Sequence, residues 1–160
     1  MFSLAVIEES GGKITRDIKA ALKNSAQLSK TKVIQAQTLG ELTGDYDLLI
    51  LASMQDEKTE QTELTTKTLL LSDQFPKQLA FHVPTLQVVT YGFSLKDSIT
   101  LSSLEPQQAV LTLQRAIFCL NSQTLEQQEI PLKIPEGAEA GRVMAVSAAL
   151  LLLGKSPLDL

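Results

Sequence analysis

The sequence predicts an α/β fold: a mainly parallel, phosphate-loop-like (Rossmann-like) sheet with helices on its faces and an antiparallel β extension. Up to Phe93, short apolar segments alternate with helical or polar ones, which is the rhythm of parallel strands joined by crossovers. After that point the apolar segments follow each other through short polar links, and strands joined so closely run antiparallel. The 160 residues contain no repeat and no evident linker. We therefore expect a single domain over 1–160.

The chain opens on a strand, a glycine turn and a helix. The strand is expected at Phe2–Ile7, which is short and apolar, and Gly11-Gly12 then interrupts the chain. Apolar residues follow at spacings of three and four, with charged residues on the opposite face, which predicts an amphipathic helix. Its apolar positions are Ile14, Ile18, Ala21 and Leu22.

Four further segments of this half have the composition of strands. The run Asp47–Met54 is continuously apolar after its first residue, which is typical of a central strand covered on both faces. The polar stretch Gln55–Thr66 is expected to be a loop or a short exposed helix, and Pro76–Phe81 one or two helical turns. The other three strands are expected at Thr31–Thr38, Thr68–Ser72 and Leu86–Phe93.

The second half predicts an antiparallel meander closed by a helix. Its strands are expected at Asp97–Leu104, Ala109–Arg115 (with a continuation to Leu120 left open) and Thr124–Ile134. The final helix is expected from about Glu139 to Leu153, because Gly154 and Pro157 stop it.

Composition removes several classes of function. The formal charge is −4, with 14 Lys+Arg against 18 Asp+Glu, no Trp and 4% aromatic residues. The sequence thus offers neither a basic surface nor stacking platforms for nucleic acid. His82 and Cys119 are the single residues of their kinds, too few for a transition-metal site. Cys119 is expected to be a buried, unreactive thiol in a reducing compartment, and His82 to cap or pack.

Membrane association is not expected. The longest apolar run, Val143–Leu153, has 11 residues interrupted by Ser147, whereas a membrane-spanning helix needs about 20. The start, Met1–Glu9, lacks the basic region of a signal peptide. We expect a soluble, cytoplasmic protein. The apolar helix is expected to be buried in the core of its own chain. The alternative is an obligate subunit or a homo-oligomer, in which this helix covers the surface of a partner.

The segment Ser10-Gly11-Gly12-Lys13-Ile14-Thr15 has part of the pattern of a phosphate-binding loop. Such a loop needs glycines that expose backbone N–H groups, a lysine for the phosphates and a hydroxyl for Mg²⁺. Ile14 stands where the hydroxyl is needed, and Ile7 stands where the first glycine is needed. Two interpretations therefore remain open: a plain glycine turn with a solvated lysine, and a phosphate-binding site.

Acidic residues offer a second set of candidates. Asp45, Asp47 and Asp73 lie at predicted strand ends, where open α/β sheets place ligand-binding residues. Aspartates at such positions also serve as turn and cap formers. The charged run Asp56–Glu60 is expected to be a solvated loop.

Several of these segments, taken in order, resemble the central, ATP-binding domain of the Mur ligases, the amide-bond-forming enzymes of peptidoglycan precursor synthesis. Val88-Val-Thr-Tyr-Gly92 is similar to the family's Thr-Tyr-Gly strand, and Asp97-Ser-Ile-Thr100 to the start of its hairpin region. The remaining similar segments are Leu4–Thr15 (the family's phosphate loop), Thr68–Asp73 (its Asn-x-Asp-Asp strand end), Ile130–Gly137 (its Leu-Pro-Gly segment) and Arg142–Gly154 (its alanine-rich helix).

The departures from that family bear on activity. Of the loop's lysine and threonine, which bind phosphates and Mg²⁺ in the family, Lys13 remains and Ile14 replaces the hydroxyl. The family's metal-binding glutamate has no counterpart in Leu48–Met54, and its His-Asn after the Pro-Gly is missing from Ala138–Val143. A chain of this length is also expected to lack the family's substrate-binding and C-terminal domains. Phosphoryl transfer depends on positioned charge and metal.

The resemblance with these departures favours a non-catalytic, Mur-ligase-like protein that binds a protein partner or a small ligand. On this interpretation, no catalytic residue and no metal ligand are proposed. The alternative is a nucleotide-binding protein of the ATP-dependent ligase type with a variant loop. ATP would then be the cofactor, held by Gly11, Gly12, Lys13, Thr15 and Asp73.

Overall fold

Eight strands form one continuous sheet in the computed structural model, which describes residues 1–26, 28–53 and 63–157. The helices are α1 (Lys13–Lys23), α2 (Lys77–Ala80) and α3 (Ala140–Leu152), with a 3₁₀ turn at Leu39–Glu41. The strands are β1 (Ser3–Ile7), β2 (Lys32–Ala36), β3 (Gly44–Leu51), β4 (Leu64–Ser72), β5 (Thr85–Tyr91), β6 (Ile99–Leu104), β7 (Gln108–Leu113), β8 (Ile117–Phe118), β9 (Thr124–Leu125) and β10 (Gln128–Lys133).

The sheet has the order β10-β7-β6-β5-β4-β3-β1-β2. Strands β1 to β5 run parallel, and β6 joins them in parallel through the single pair Tyr91 and Ile99. β7 pairs antiparallel with β6 and β10 with β7, while β8 and β9 form a separate two-stranded sheet. This confirms the predicted fold class, a mainly parallel α/β sheet with an antiparallel extension.

Both faces of the parallel part are covered, which explains why its central strands read as continuous apolar runs. Helices α1 and α3 pack on one face, against Leu48 and Ile50 of β3 among others. The other face packs against the 3₁₀ turn and the α2 region, where Leu49 and Leu51 contact Leu79. Alternate residues of one strand thus serve two different cores.

Helix α3 is enclosed by the chain itself. All ten residues from Val143 to Leu152 are buried, and the helix packs against α1, β3, β4 and β6. At its far end the β8–β9 hairpin covers it, with the backbone N–H of Leu120 bonded to the carbonyl of Leu152 at 2.7 Å. The apolar run of the sequence is therefore a core helix, as expected.

The structure corrects the start of β4. The sequence predicts that the strand begins at Thr68 after a polar segment reaching Thr66, but β4 begins at Leu64. Thr66 and Thr68 face the interior, and their hydroxyls are satisfied by the Thr68 carbonyl and the Gln87 side chain. The earlier part of that polar segment, residues 55–62, lies outside the described residues.

Two predicted strands of the extension are also divided. Strand β7 ends at Leu113, and the side chain of the next residue, Gln114, donates hydrogen bonds to the carbonyls of Ser94 and Asp97. The continuation to Leu120, which the sequence left open, does not form, and Ile117–Phe118 is the separate strand β8. The segment expected as one strand over Thr124–Ile134 is split into β9 and β10, which belong to different sheets.

Candidate functional site

A cleft of about 390 Å³ lies where the parallel strands end. The carboxyl ends of β1, β3, β4 and β5 share this edge of the sheet, and α1 and α3 both begin beside it. Open α/β sheets bind ligands at this edge. The cleft is lined by Glu8, Glu9, Ser10, Gly12, Lys13, Ile14, Ala52, Ser53, Ser72, Gln74, Tyr91, Glu139, Gly141 and Arg142.

The loop between β1 and α1 turns on two glycines in left-handed backbone conformation. Gly11 has φ +106° and Gly12 has φ +55°. Gly12 is also the residue that precedes the first turn of α1, and it has no side chain with which to cap the helix. The exposed N–H groups at a helix start need another acceptor.

Glu8 supplies that acceptor. Its Oε1 accepts a hydrogen bond from the backbone N–H of Ile14 at 2.9 Å, and its Oε2 accepts one from that of Thr15 at 2.8 Å. The Thr15 hydroxyl donates to the same Oε2 at 2.5 Å. Glu8 is 5% exposed. A carboxylate of the chain thus occupies the positive end of the α1 dipole.

The predicted loop residues are separated by this arrangement. Gly12 and Lys13 line the cleft, and Lys13 is exposed. Gly11 lies exposed in the turn, while Thr15 is buried and directed at Glu8. The sequence reasoning missed Glu8, although an acid next to the end of the first strand is a signal that could have pointed to it.

Asp73, the fifth predicted site residue, follows β4 but is not one of the lining residues. Its carboxylate lies over Gly92, close to that of Asp97: a Cβ built on Gly92 would be 2.3 Å from Asp73 Oδ2 and 2.7 Å from Asp97 Oδ2. Asp73 is exposed, whereas Asp97 is buried and accepts a hydrogen bond from the Ser94 N–H. Asp73 is therefore not among the residues that line the cleft together with the glycine loop.

Tyr91 is a buried residue of the cleft lining. It ends β5 and is 3% exposed. Burial raises the pKa of the Tyr91 phenol, the adjoining Ser72 hydroxyl opposes that shift, and the negative charges of Asp73 and Glu8 add to it. The phenol consequently stays protonated and can act as a hydrogen-bond donor to a ligand.

Arg142, in the first turn of α3, is committed to an ion pair with α1. Its Nη2 lies 2.7 Å from Asp17 Oδ1, and its Nε contacts Asp17 Oδ2. The hydrogen bonds with Asp17 raise the pKa of Arg142; burial opposes that shift, and the charges of Asp17, Glu139 and Glu8 add to it. Arg142 lines the cleft, but its charge is balanced by Asp17.

Two of the predicted acids are at the wrong edge of the sheet. Asp45 and Asp47 lie at the amino end of β3, opposite the cleft. Asp45 accepts a hydrogen bond from the Thr65 hydroxyl, and Asp47 is bound by Ser3 and by Lys67, whose Nζ is 3.0 Å away. These aspartates connect neighbouring strands. Asp56–Glu60 lies outside the described residues.

The remaining sequence candidates, Cys119 and His82, are not among the residues that line the cleft. Cys119 is buried, as expected; its thiol contacts the Leu151 carbonyl at 3.1 Å, and burial raises its pKa. His82 is exposed in the turn after α2, so it does not pack in the interior as expected. Among the described residues, no three His, Cys, Asp or Glu side chains are placed to hold a metal ion. Within the same part of the chain, the helices are too short or too polar to cross a membrane.

No protein-family model matches the sequence, and a search of curated proteins finds no match. Solved structures do match. UDP-N-acetylmuramoylalanyl-D-glutamyl-2,6-diaminopimelate--D-alanyl-D-alanyl ligase from Acinetobacter baumannii is similar over 98% of this chain, with a TM-score of 0.59 and 10% identity. A second structure, of MurF from Acinetobacter baumannii, has a TM-score of 0.60 at 10% identity over the same share.

These matches confirm a Mur-ligase-like fold, as the sequence motifs indicated. At such low identity they show the fold alone. The chain spans 44% and 43% of the two matched chains, which is less than half of each.

Proposed function

We propose that this chain is a non-catalytic relative of the Mur ligases that binds a small polar ligand, or a side chain of a protein partner, without consuming ATP. The observation that carries this proposal is the charge of the cleft. Its lining contains three carboxylates, those of Glu8, Glu9 and Glu139, and two cations, Lys13 and Arg142. Since Arg142 is paired with Asp17, Lys13 is left as the lining cation without an ion pair in the described part of the chain.

The fit of ATP, the cofactor that the fold family implies, is poor on these residues. A polyphosphate needs backbone N–H groups, cations and a metal-holding hydroxyl. Here the N–H groups of Ile14 and Thr15 are bonded to Glu8, and the side chain after Lys13 is the buried, apolar Ile14. A bound polyanion would stand against the Glu8 carboxylate and two more acids.

The same lining suits a neutral or cationic polar molecule. Its lining includes Ser53, Ser72, Gln74 and Tyr91, whose side chains carry hydroxyl or amide groups. Glu139 precedes α3 without capping it, so its carboxylate is not engaged there. A few directed polar groups within a concave site of this volume are typical of small-molecule binding.

The nucleotide hypothesis is tested with the full chain, Mg²⁺ and ATP. We expect no saturable heat in calorimetry, no rise in the unfolding temperature and no phosphate release. Turnover or tight binding that Lys13→Ala abolishes would refute the proposal and favour the alternative, a nucleotide-binding protein, which the position of Gly12 and Lys13 at the cleft supports.

The ligand hypothesis is tested by thermal shift against a panel of small molecules sorted by charge. Neutral and cationic compounds are expected to stabilise the protein, and Tyr91→Phe is expected to weaken each stabilisation because it removes one donor in the cleft. A panel in which polyanions alone stabilise the chain would contradict this assignment.

A further inference from the structure

The first turn of α1 holds an anion that belongs to the protein. We infer that Glu8 takes the place of a bound phosphate group: the loop and helix still form an anion cradle, and this one carboxylate closes it to external phosphate. The inference rests on the proposed function, in that it identifies what bars phosphorylated ligands from the cleft.

The donor set is that of a phosphate site. The first N–H groups of a helix have no partner within the helix, and in α1 these belong to Lys13, Ile14 and Thr15, since the N–H of Arg16 is already bonded to the Gly12 carbonyl. Glu8 accepts from two of them and from the Thr15 hydroxyl. Convergent N–H and hydroxyl donors at a helix start bind phosphate oxygens equally well.

The way in which Glu8 reaches the helix separates it from an ordinary cap. Common caps come from the residue before the first turn or from the third residue of the helix. Glu8 lies at the end of β1 and reaches across the glycine turn to residues six and seven positions later. The turn itself keeps the left-handed glycines that let a backbone approach an anion closely.

One cation lies near the cradle. Lys13, the first residue of α1, lies exposed at the cleft, whereas Arg142 is already paired with Asp17. The cradle is sealed, because Glu8 is almost fully buried. Removal of its carboxylate would leave three donors and a space of the carboxylate's size at the positive end of α1.

The experiment compares the wild type with Glu8→Ala and with Glu9→Ala, which removes the neighbouring, exposed carboxylate of the same cleft. Each protein is titrated with inorganic phosphate at constant ionic strength. The unfolding temperature and the backbone amide resonances of Ile14 and Thr15 are followed. We expect phosphate to stabilise Glu8→Ala alone, by about 3–6 °C at a concentration tenfold above Kd, and to shift both resonances.

The inference is overturned if folded Glu8→Ala ignores phosphate, or if wild type and Glu9→Ala respond as strongly as it does. If Glu8→Ala is unfolded without phosphate, refolding in phosphate supports the inference. Continued unfolding, together with an unresponsive Glu8→Gln, overturns it. Failure of the proposed function would appear in the wild type as ATP binding, whereas failure of this inference appears in the Glu8 variants.

Discussion

At the scale of single residues, Ser147 is poorly matched to its surroundings. It is 0% exposed in the apolar helix α3, and within the described residues its hydroxyl has no hydrogen-bond partner. A buried polar group without a partner loses its hydration and gains nothing in return. The position therefore lowers the stability of the fold.

We predict that Ser147→Ala raises the free energy of unfolding by about 1 kcal/mol, since it removes the unpaired hydroxyl and improves helix propensity. Denaturant unfolding measures the change. Ser98→Ala is the matched control, because the Ser98 hydroxyl is buried but accepts a hydrogen bond from the Thr90 N–H. That variant should lose stability, and a loss in Ser147→Ala as well would contradict the prediction.

The single residues of the cleft were only partly predictable from sequence. Gly12 and Lys13 were found because a strand, a glycine turn and a helix form a local pattern. Glu8 was missed because its role depends on how the side chain folds back over the turn. Asp45 and Asp47 were misjudged because they stand at the start of the predicted strand, whereas open α/β sheets bind ligands at the carboxyl ends of their strands.

At the scale of elements, the junction of α3 with the β8–β9 hairpin depends on one glycine. Gly154 follows α3 with φ +84°, a conformation that residues with a Cβ rarely adopt. A Cβ there would lie 2.3 Å from Asn121 Nδ2, and the Asn121 side chain is held in place by hydrogen bonds with Gln123.

We predict that Gly154→Ala lowers the free energy of unfolding by about 1–3 kcal/mol through backbone strain and the Asn121 contact. Gly141→Ala, in the first turn of α3, is the control, since a Cβ at Gly141 meets no atom within 4 Å. It should be neutral or stabilising by up to about 1 kcal/mol. Chemical denaturation of both variants tests the pair, and equal losses would refute the reasoning.

Most elements were predictable because their signals are local. The continuous apolar run of β3 and the amphipathic pattern of α1 can each be recognised within one short stretch of sequence. The first residues of β4 were not predicted, because threonines in a sequence are typical of a polar loop. Their burial in a strand is explained only by the hydrogen-bond partners of their hydroxyls. The division of the 124–134 segment depends on which sheet each half joins, and sequence patterns carry no such information.

At the scale of the whole molecule, the edge of the sheet opposite the cleft is secured by a charge. Asp47 binds the backbone N–H and hydroxyl of Ser3 in β1 and the amine of Lys67 in β4. Burial alone raises the pKa of Asp47, but the bonds from Ser3 and the charge of Lys67 outweigh burial and lower it. Three strands are thus linked by one ionised group.

A lowered pKa means that the folded state favours the charged form, so Asp47 stabilises the fold above the unfolded pKa of about 4 and loses that effect as the pH falls below it. We predict that Asp47→Asn costs about 1–2 kcal/mol at pH 7. The difference from wild type should shrink as the pH is lowered from about 5 to 3. Unfolding curves across that range provide the measurement, and a difference independent of pH would count against the assignment.

The enclosure of α3 also bears on how the chain reaches its fold during synthesis. The helix at residues 140–152 packs against α1 and β3, which come from the first third of the chain. Until it emerges from the ribosome, the apolar face that it covers stays open to water, and such faces attract chaperones and other nascent chains. Contacts between residues so distant in sequence also slow folding. We therefore expect the nascent chain to need its greatest protection just before α3 is made.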